Sequence, residues 1–253
     1  MSGISIILFF VLGLVFGSFF NVVGLRLPKN IPFARDRSRC PYCGHSITLI
    51  ENIPLFSFLV QAGRCRKCKE KISPLYPAIE LTTGILFALS FHLLGWQIEL
   101  IIALLLVSLL MIILVSDLKY MVIPNKVLLF FLPILIIFRI LEPLDPWWSS
   151  IAGALTGLLL LALIIIISRG GMGAGDMKLF GLLGIVFGVN KILLALFLSS
   201  LIGAIIATFL LCTKRINRKQ PVPFGPFIVI ASLITYFYGD YLLNLYFQFV
   251  VMP

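Results

Sequence analysis

The sequence predicts an all-α integral membrane protein of about eight transmembrane helices, with a zinc-stapled cytoplasmic loop between the first two. Three observations carry that prediction. Of 253 residues, 60% are hydrophobic and 12% charged, and the mean hydropathy of +1.12 exceeds what a soluble core of this size requires. Apolar stretches of about 18 residues recur from end to end, each long enough to cross roughly 30 Å of hydrocarbon as a helix. The one long polar segment, 26–76, carries four of the five cysteines as two close pairs.

The spans are read at 3–25, 77–94, 99–116, 124–141, 150–168, 178–190, 191–212 and 223–240. The first lacks a basic start and runs into "GSFFNVVGLRLP" without a small-residue cleavage pattern, so it is taken as a retained helix rather than a signal peptide. "LFGLLGIVFG" makes the sixth short and glycine-rich, and only "VNK" parts it from the seventh. The chain then divides into a first helix (1–25), a loop domain (26–76) and a multi-helix domain (77–253).

Lysine and arginine set the orientation. Ten of the twenty basic residues lie between Arg26 and Lys71, and "KRINRKQ" at 214–220 holds four more, so both segments face the cytoplasm. With eight spans, the segments Asp117–Lys126 and Arg169–Lys178 fall on that same side and both termini lie outside. The outer turns carry Glu99, Glu142, Asp145 and Asp240, with Lys191 as a basic exception. A net charge of +10 invites a nucleic-acid reading, yet no aromatic ladder interleaves the arginines as single-strand stacking requires. The charges serve topology and contact with the anionic lipid bilayer, and no nucleic-acid partner is expected.

The loop is too short for an ordinary hydrophobic core and needs a staple. "CPYCGH" and "CRKCKE" supply it: Cys40, Cys43, Cys65 and Cys68 form two Cys-x2-Cys turns separated by 21 residues. Two such turns complete the four-thiolate tetrahedron that zinc prefers, with no open position, so the metal is expected to be structural. A pair of disulfides fits the same spacing, against which stands the reducing compartment that the basic bias implies. His45 reads as a surface residue, and Cys212 as a small buried one at the inner end of a span.

Carboxylates at a membrane edge are costly and call for a reason. Three acidic residues sit in or beside the spans on the cytoplasmic side: Glu80, Asp117 and Asp176. Asp117 closes the third span and Asp176 opens the sixth, in "GAGDMKL", level in depth though distant in sequence. Two such carboxylates can share a proton, one activating water while the other donates to a scissile carbonyl. Gly173 and Gly175 would let an extended backbone approach. Equally, Asp176 is placed to cap its helix and Asp117 to pair with Lys119 or Lys126. "GGMGAGDMK" lacks the ending of a phosphate loop and follows no strand.

With "GLVFGSFFNVVGLRLP" (13–28), the cysteine segment at 37–84, "GAGDMKLFGLLG" (173–184) and "PFGPFI" (223–228), the chain resembles the bifunctional type IV prepilin peptidases, GxGD aspartic proteases of the bacterial inner membrane. That resemblance implies that Asp117 and Asp176 are the catalytic pair, in an active-site loop with Gly173 and Gly175. It implies removal of a short basic leader from prepilins or pseudopilins after a glycine, at the cytoplasmic face. N-methylation of the new amino terminus from S-adenosylmethionine follows in many members. Asn125 in "MVIPN" stands where many relatives carry aspartate. No methyl-donor site assembles from the sequence; Arg26, Glu51 and Asn52 serve equally well to hold the loop around zinc. A transporter would want ionisable residues at mid-membrane, for which Glu80 and His92 are the candidates. A zinc-ribbon adaptor would leave "GAGD" without a purpose.

Overall fold

The computed structural model describes residues 3–32, 39–40, 42–48, 51, 53–168, 172–215 and 222–250. Its helices are α1 (Gly3–Arg26), α2 (Phe56–Val60), α3 (Leu75–Leu94), α4 (Ile98–Tyr120), α5 (Asn125–Leu141), α6 (Ser149–Ile167), α7 (Ala174–Cys212) and α8 (Gly225–Val250). Among the described residues no strand forms beyond two isolated bridges. The chain divides into two compact units, Met1–Ser116 and Asp117–Pro253.

In the first unit α1 packs antiparallel on α3. Phe9 stacks on Phe91 at 4.5 Å, Gly13 and Gly17 sit against Thr83 and Glu80, and Asn21 Nδ2 donates to the Tyr76 carbonyl at 3.1 Å. Small residues let the two backbones approach, which is how apolar helices associate where lipid is as apolar as they are. On α1, Gly24 likewise abuts Val115 and the Ile112 carbonyl of α4. Most of α4 is buried, and Ile102, Ala103, Leu106, Val107, Leu109 and Leu110 have no exposure at all.

In the second unit α7 is the organiser. Its 39 residues would span roughly 58 Å if straight, about twice the hydrocarbon thickness. Gly188 breaks it, with φ 71° and ψ −175°, a conformation that favours glycine. The expected sixth and seventh spans are therefore the two halves of α7, parted at Gly188 rather than at 190. Six helices among the described residues are long and apolar enough to cross a membrane when α7 counts once. α5, with 17 residues, falls just short of that length.

α6 crosses the first half of α7 so closely that Gly153 and Gly184 meet backbone to backbone. The second half runs against α8, where Gly203 faces Phe227 and Lys191 Nζ lies 2.8 Å from Asp240 Oδ2. That ion pair explains the basic residue on the acidic side. A second one, unremarked in the sequence, is Arg139 in the last turn of α5. It is buried and donates through Nη2 to the Val186 carbonyl at 2.9 Å. In an unbroken helix that carbonyl would take the N–H of Asn190, beyond the break. Cys212, expected to be buried, is exposed at the C-terminal end of α7.

Candidate active site

Asp117 lies in the last turn of α4 and Asp176 in the first turn of α7, within the second unit. Both are buried, at 5% and 8% exposure, and the two carboxylates are close enough to feel each other's charge. Each is anchored by a backbone amide. Gly225 at the start of α8 donates its N–H to Asp117 Oδ2 at 2.8 Å, and the Gly173 N–H reaches Asp176 Oδ2 at 3.2 Å. The second bond is half of a capping box, so the helix-capping role of Asp176 and its meeting with Asp117 occur together.

The glycines act through space rather than through unusual backbone angles. Gly173, the residue that caps α7, has φ −74° and ψ 140°, open to any residue. A methyl group on Gly175, however, would lie 3.0 Å from the Ile123 side chain, and one on Gly225 would lie 2.5 Å from Asp117 Oδ2. Residues 169–171 of the glycine-rich run lie outside the described residues. Lys178 Nζ donates to Asn125 Oδ1 at 3.1 Å, so the starts of α5 and α7 are tied beside the carboxylates. Gly225 was legible only as part of "PFGPFI"; its contribution is a main-chain donor and a missing side chain, neither of which leaves a chemical signature.

The loop belongs to the first unit. In the first knuckle Cys40 N–H donates to His45 O at 2.9 Å and Gly44 N–H to Cys40 O at 3.0 Å. The second repeats it, Cys65 N–H to Glu70 O at 2.8 Å and Lys69 N–H to Cys65 O at 2.9 Å. Gly44 and Lys69 both take positive φ at the equivalent position. The knuckles bring four sulfurs within 4.8 Å of one another, with Cys40–Cys68 at 3.8 Å and Cys43–Cys65 at 3.9 Å. Sulfurs at tetrahedral positions about 2.3 Å from a common centre are about 3.8 Å apart, so the donor set fits a metal ion. All four are free thiols rather than disulfides.

Backbone N–H groups of Cys68 and Lys67 lower the Cys65 thiol to about 6. Cys68 is favoured as thiolate by the Glu70 amide, but burial and the neighbouring sulfurs push it up to about 12. Four thiolates this close need a cation between them.

Glu51 ties the knuckles together. It accepts from Thr48 N–H at 2.9 Å and Thr48 Oγ1 at 3.0 Å, and it lies 3.4 Å from His45 Nε2 and 4.0 Å from Arg66 Nη1. The Thr48 amide, with the hydroxyl and His45, holds its carboxyl below the usual range. His45 thus pairs with Glu51, Arg26 Nη1 donates to the Pro32 carbonyl at 3.3 Å, and Asn52 lies outside the described residues.

Glu80, buried in the second turn of α3, accepts the Leu55 N–H at 2.9 Å, whereas His92 is exposed in the last turn. The two transporter candidates stand at opposite ends of one helix. A cleft of about 370 Å³ in the loop is lined by Glu51, Phe56 and Val60 and by Arg64, Arg66 and Lys69. Three cations against one engaged carboxylate suit an anion.

Residues 11–94 match the model of the bacterial peptidase A24 N-terminal domain, and residues 104–208 that of the type IV leader peptidase family. The prepilin leader peptidase/N-methyltransferase of Bacillus subtilis is 43% identical over 237 residues, covering 94% of this chain and 96% of the relative. This chain belongs to the type IV leader peptidase family. Similarly named relatives in that family include those of Aeromonas salmonicida, 35% identical with 92% and 90% of the two chains covered, and Pseudomonas aeruginosa, 34% identical with 94% and 92% covered. No solved structure matches the chain. The family's two models meet this chain on either side of residues 95–103, and both Asp117 and Asp176 fall within the leader-peptidase match.

Proposed function

We propose that this chain is a membrane aspartic endopeptidase that removes the short basic leader from type IV prepilins or pseudopilins, and then N-methylates the new amino terminus with S-adenosylmethionine. The observation that carries the peptidase reading is the pair of buried carboxylates, each pinned by a backbone amide through one oxygen. The other oxygens then hold a water between them. One aspartate, ionised, takes a proton from that water as its oxygen attacks the scissile carbonyl. The other, protonated, donates to the carbonyl oxygen; collapse of the tetrahedral adduct returns that proton to its aspartate and expels the new amino terminus, which leaves with the proton the first aspartate took from water. The substrate's apolar helix stays in lipid, and only its junction must be extended. The methylation half rests on the relatives' names, and no step of it is assigned to residues here.

Purified protein in detergent, incubated with a prepilin and S-adenosylmethionine, should yield a product lacking its leader and one methyl group heavier. A product shortened but not methylated would leave the peptidase alone. Unchanged prepilin would favour a transporter or an adaptor.

We assign zinc to Cys40, Cys43, Cys65 and Cys68 as a structural ion that supplies the loop's folding energy. Cys43→Ser should lose the metal, by elemental analysis, and render the loop sensitive to protease. Cleavage should fall less than loop stability, since four thiolates leave zinc no open position. Reduced wild-type protein without zinc would remove the assignment.

We place the loop, Asp117 and Asp176 on the cytoplasmic side of the bacterial inner membrane. A membrane-impermeant maleimide added to intact cells should therefore label Trp147→Cys, at an exposed position before α6. The five native cysteines of the wild type should stay unlabelled. Labelled wild type would overturn the orientation.

A further inference from the structure

α2 is five residues long, and three of them are open to solvent: Phe56 is 60% exposed, Leu59 75% and Val60 68%. Its depth is fixed by the Leu55 N–H bond to Glu80, which lies five residues into α3, about 8 Å along its axis. Glu80 is itself wedged against Gly17 of α1. The start of α2 is therefore held beside the first turns of a membrane span, at the boundary between headgroups and acyl chains. Apolar side chains exposed at that depth are where an interfacial helix buries its face.

The cleft beside this surface has Arg64, Arg66 and Lys69 on its wall. Arg66, though 4.0 Å from Glu51, keeps a side chain 74% exposed. Cations and exposed apolar groups lining one cleft match a phosphodiester carrying hydrocarbon. We propose that α2 and the second cysteine knuckle form a binding site for one anionic phospholipid. Its phosphate sits on Arg64, Arg66 and Lys69, and its acyl chains run beside Phe56, Leu59 and Val60. A free anion would satisfy the cations but leave the three apolar residues in water. The inference rests on the membrane-spanning reading of α1 and α3 and not on the proposed chemistry.

The test uses full-length Val60→Trp protein in nanodiscs of phosphatidylcholine containing a minority of phosphatidylglycerol. One lipid or the other is brominated near the headgroup end of its chains, and wild type supplies the background of its three tryptophans. Excess quenching of the indole introduced at position 60 is expected, stronger with brominated phosphatidylglycerol. Adding Arg64→Gln, Arg66→Gln and Lys69→Gln should abolish that preference, with a loss of roughly fivefold in relative affinity per cation. Zinc content reports that the knuckles remain folded, and millimolar inorganic phosphate should not relieve the quenching. An unquenched indole, equal quenching by the two lipids, or displacement by phosphate would each overturn the proposal.

Discussion

Asp117→Asn and Asp176→Asn are each expected to lower leader removal by about a thousandfold or more while leaving the protein folded. Asparagine keeps the shape of aspartate, and its carbonyl oxygen still accepts the amide of Gly225 or Gly173. What it loses is the ability to take a proton from water or to hand one to a carbonyl oxygen, which is the work assigned to the pair. Because the two carboxylates share one reaction, the double variant should be no worse than either single one. Methylation of a substrate supplied without its leader should survive both changes. Initial rates measured beside melting temperature and substrate retention separate this outcome from simple unfolding. Full cleavage by either folded variant would assign the chemistry elsewhere.

Gly225→Ala should cost about a hundredfold in cleavage although it touches no substrate. The added methyl group would fall 2.5 Å from Asp117 Oδ2 and 2.7 Å from its Cγ, so the carboxylate or the start of α8 must move. A displacement of about 1 Å in a catalytic group costs on the order of a hundredfold. Gly239→Ala in the same helix is the control, since its nearest neighbours lie at 3.4–3.6 Å, ordinary contact. It should cleave as wild type does. Equal activity in the two variants would mean that Gly225 is not what positions Asp117.

Those two predictions draw on information of different kinds, which shows how far sequence reaches. Asp117 and Asp176 stood out in the sequence because charge at a membrane edge is rare, but their burial and the amides that hold them needed three dimensions. The cysteine cluster was legible because Cys-x2-Cys spacing maps directly onto a turn with two sulfurs on one side. The break in α7 was legible as a span boundary at "VNK" but not as Gly188, since "LFGLLGIVFG" offers Gly181, Gly184 and Gly188 and spacing does not say which one takes positive φ. Arg139 escaped notice because a buried arginine answering the Val186 carbonyl depends on a contact 47 residues away. The capping of Asp176 and its proximity to Asp117 looked like rivals in sequence, and three dimensions make them compatible, since one oxygen accepts the Gly173 N–H while the carboxylate stays within electrostatic reach of Asp117.

The central claim is that water activated between Asp117 and Asp176 cuts the leader. It is tested most directly by a single turnover in heavy-oxygen water, with purified protein in excess over prepilin and mass spectrometry of the released leader. The proposed mechanism predicts one solvent oxygen in the leader's new carboxyl terminus at the first turnover, and no label in the peptides that contain Asp117 and Asp176. A leader released with only light oxygen at its new terminus, with the heavy isotope appearing afterwards in an aspartate, would show that the carboxylate itself attacked, and would contradict it.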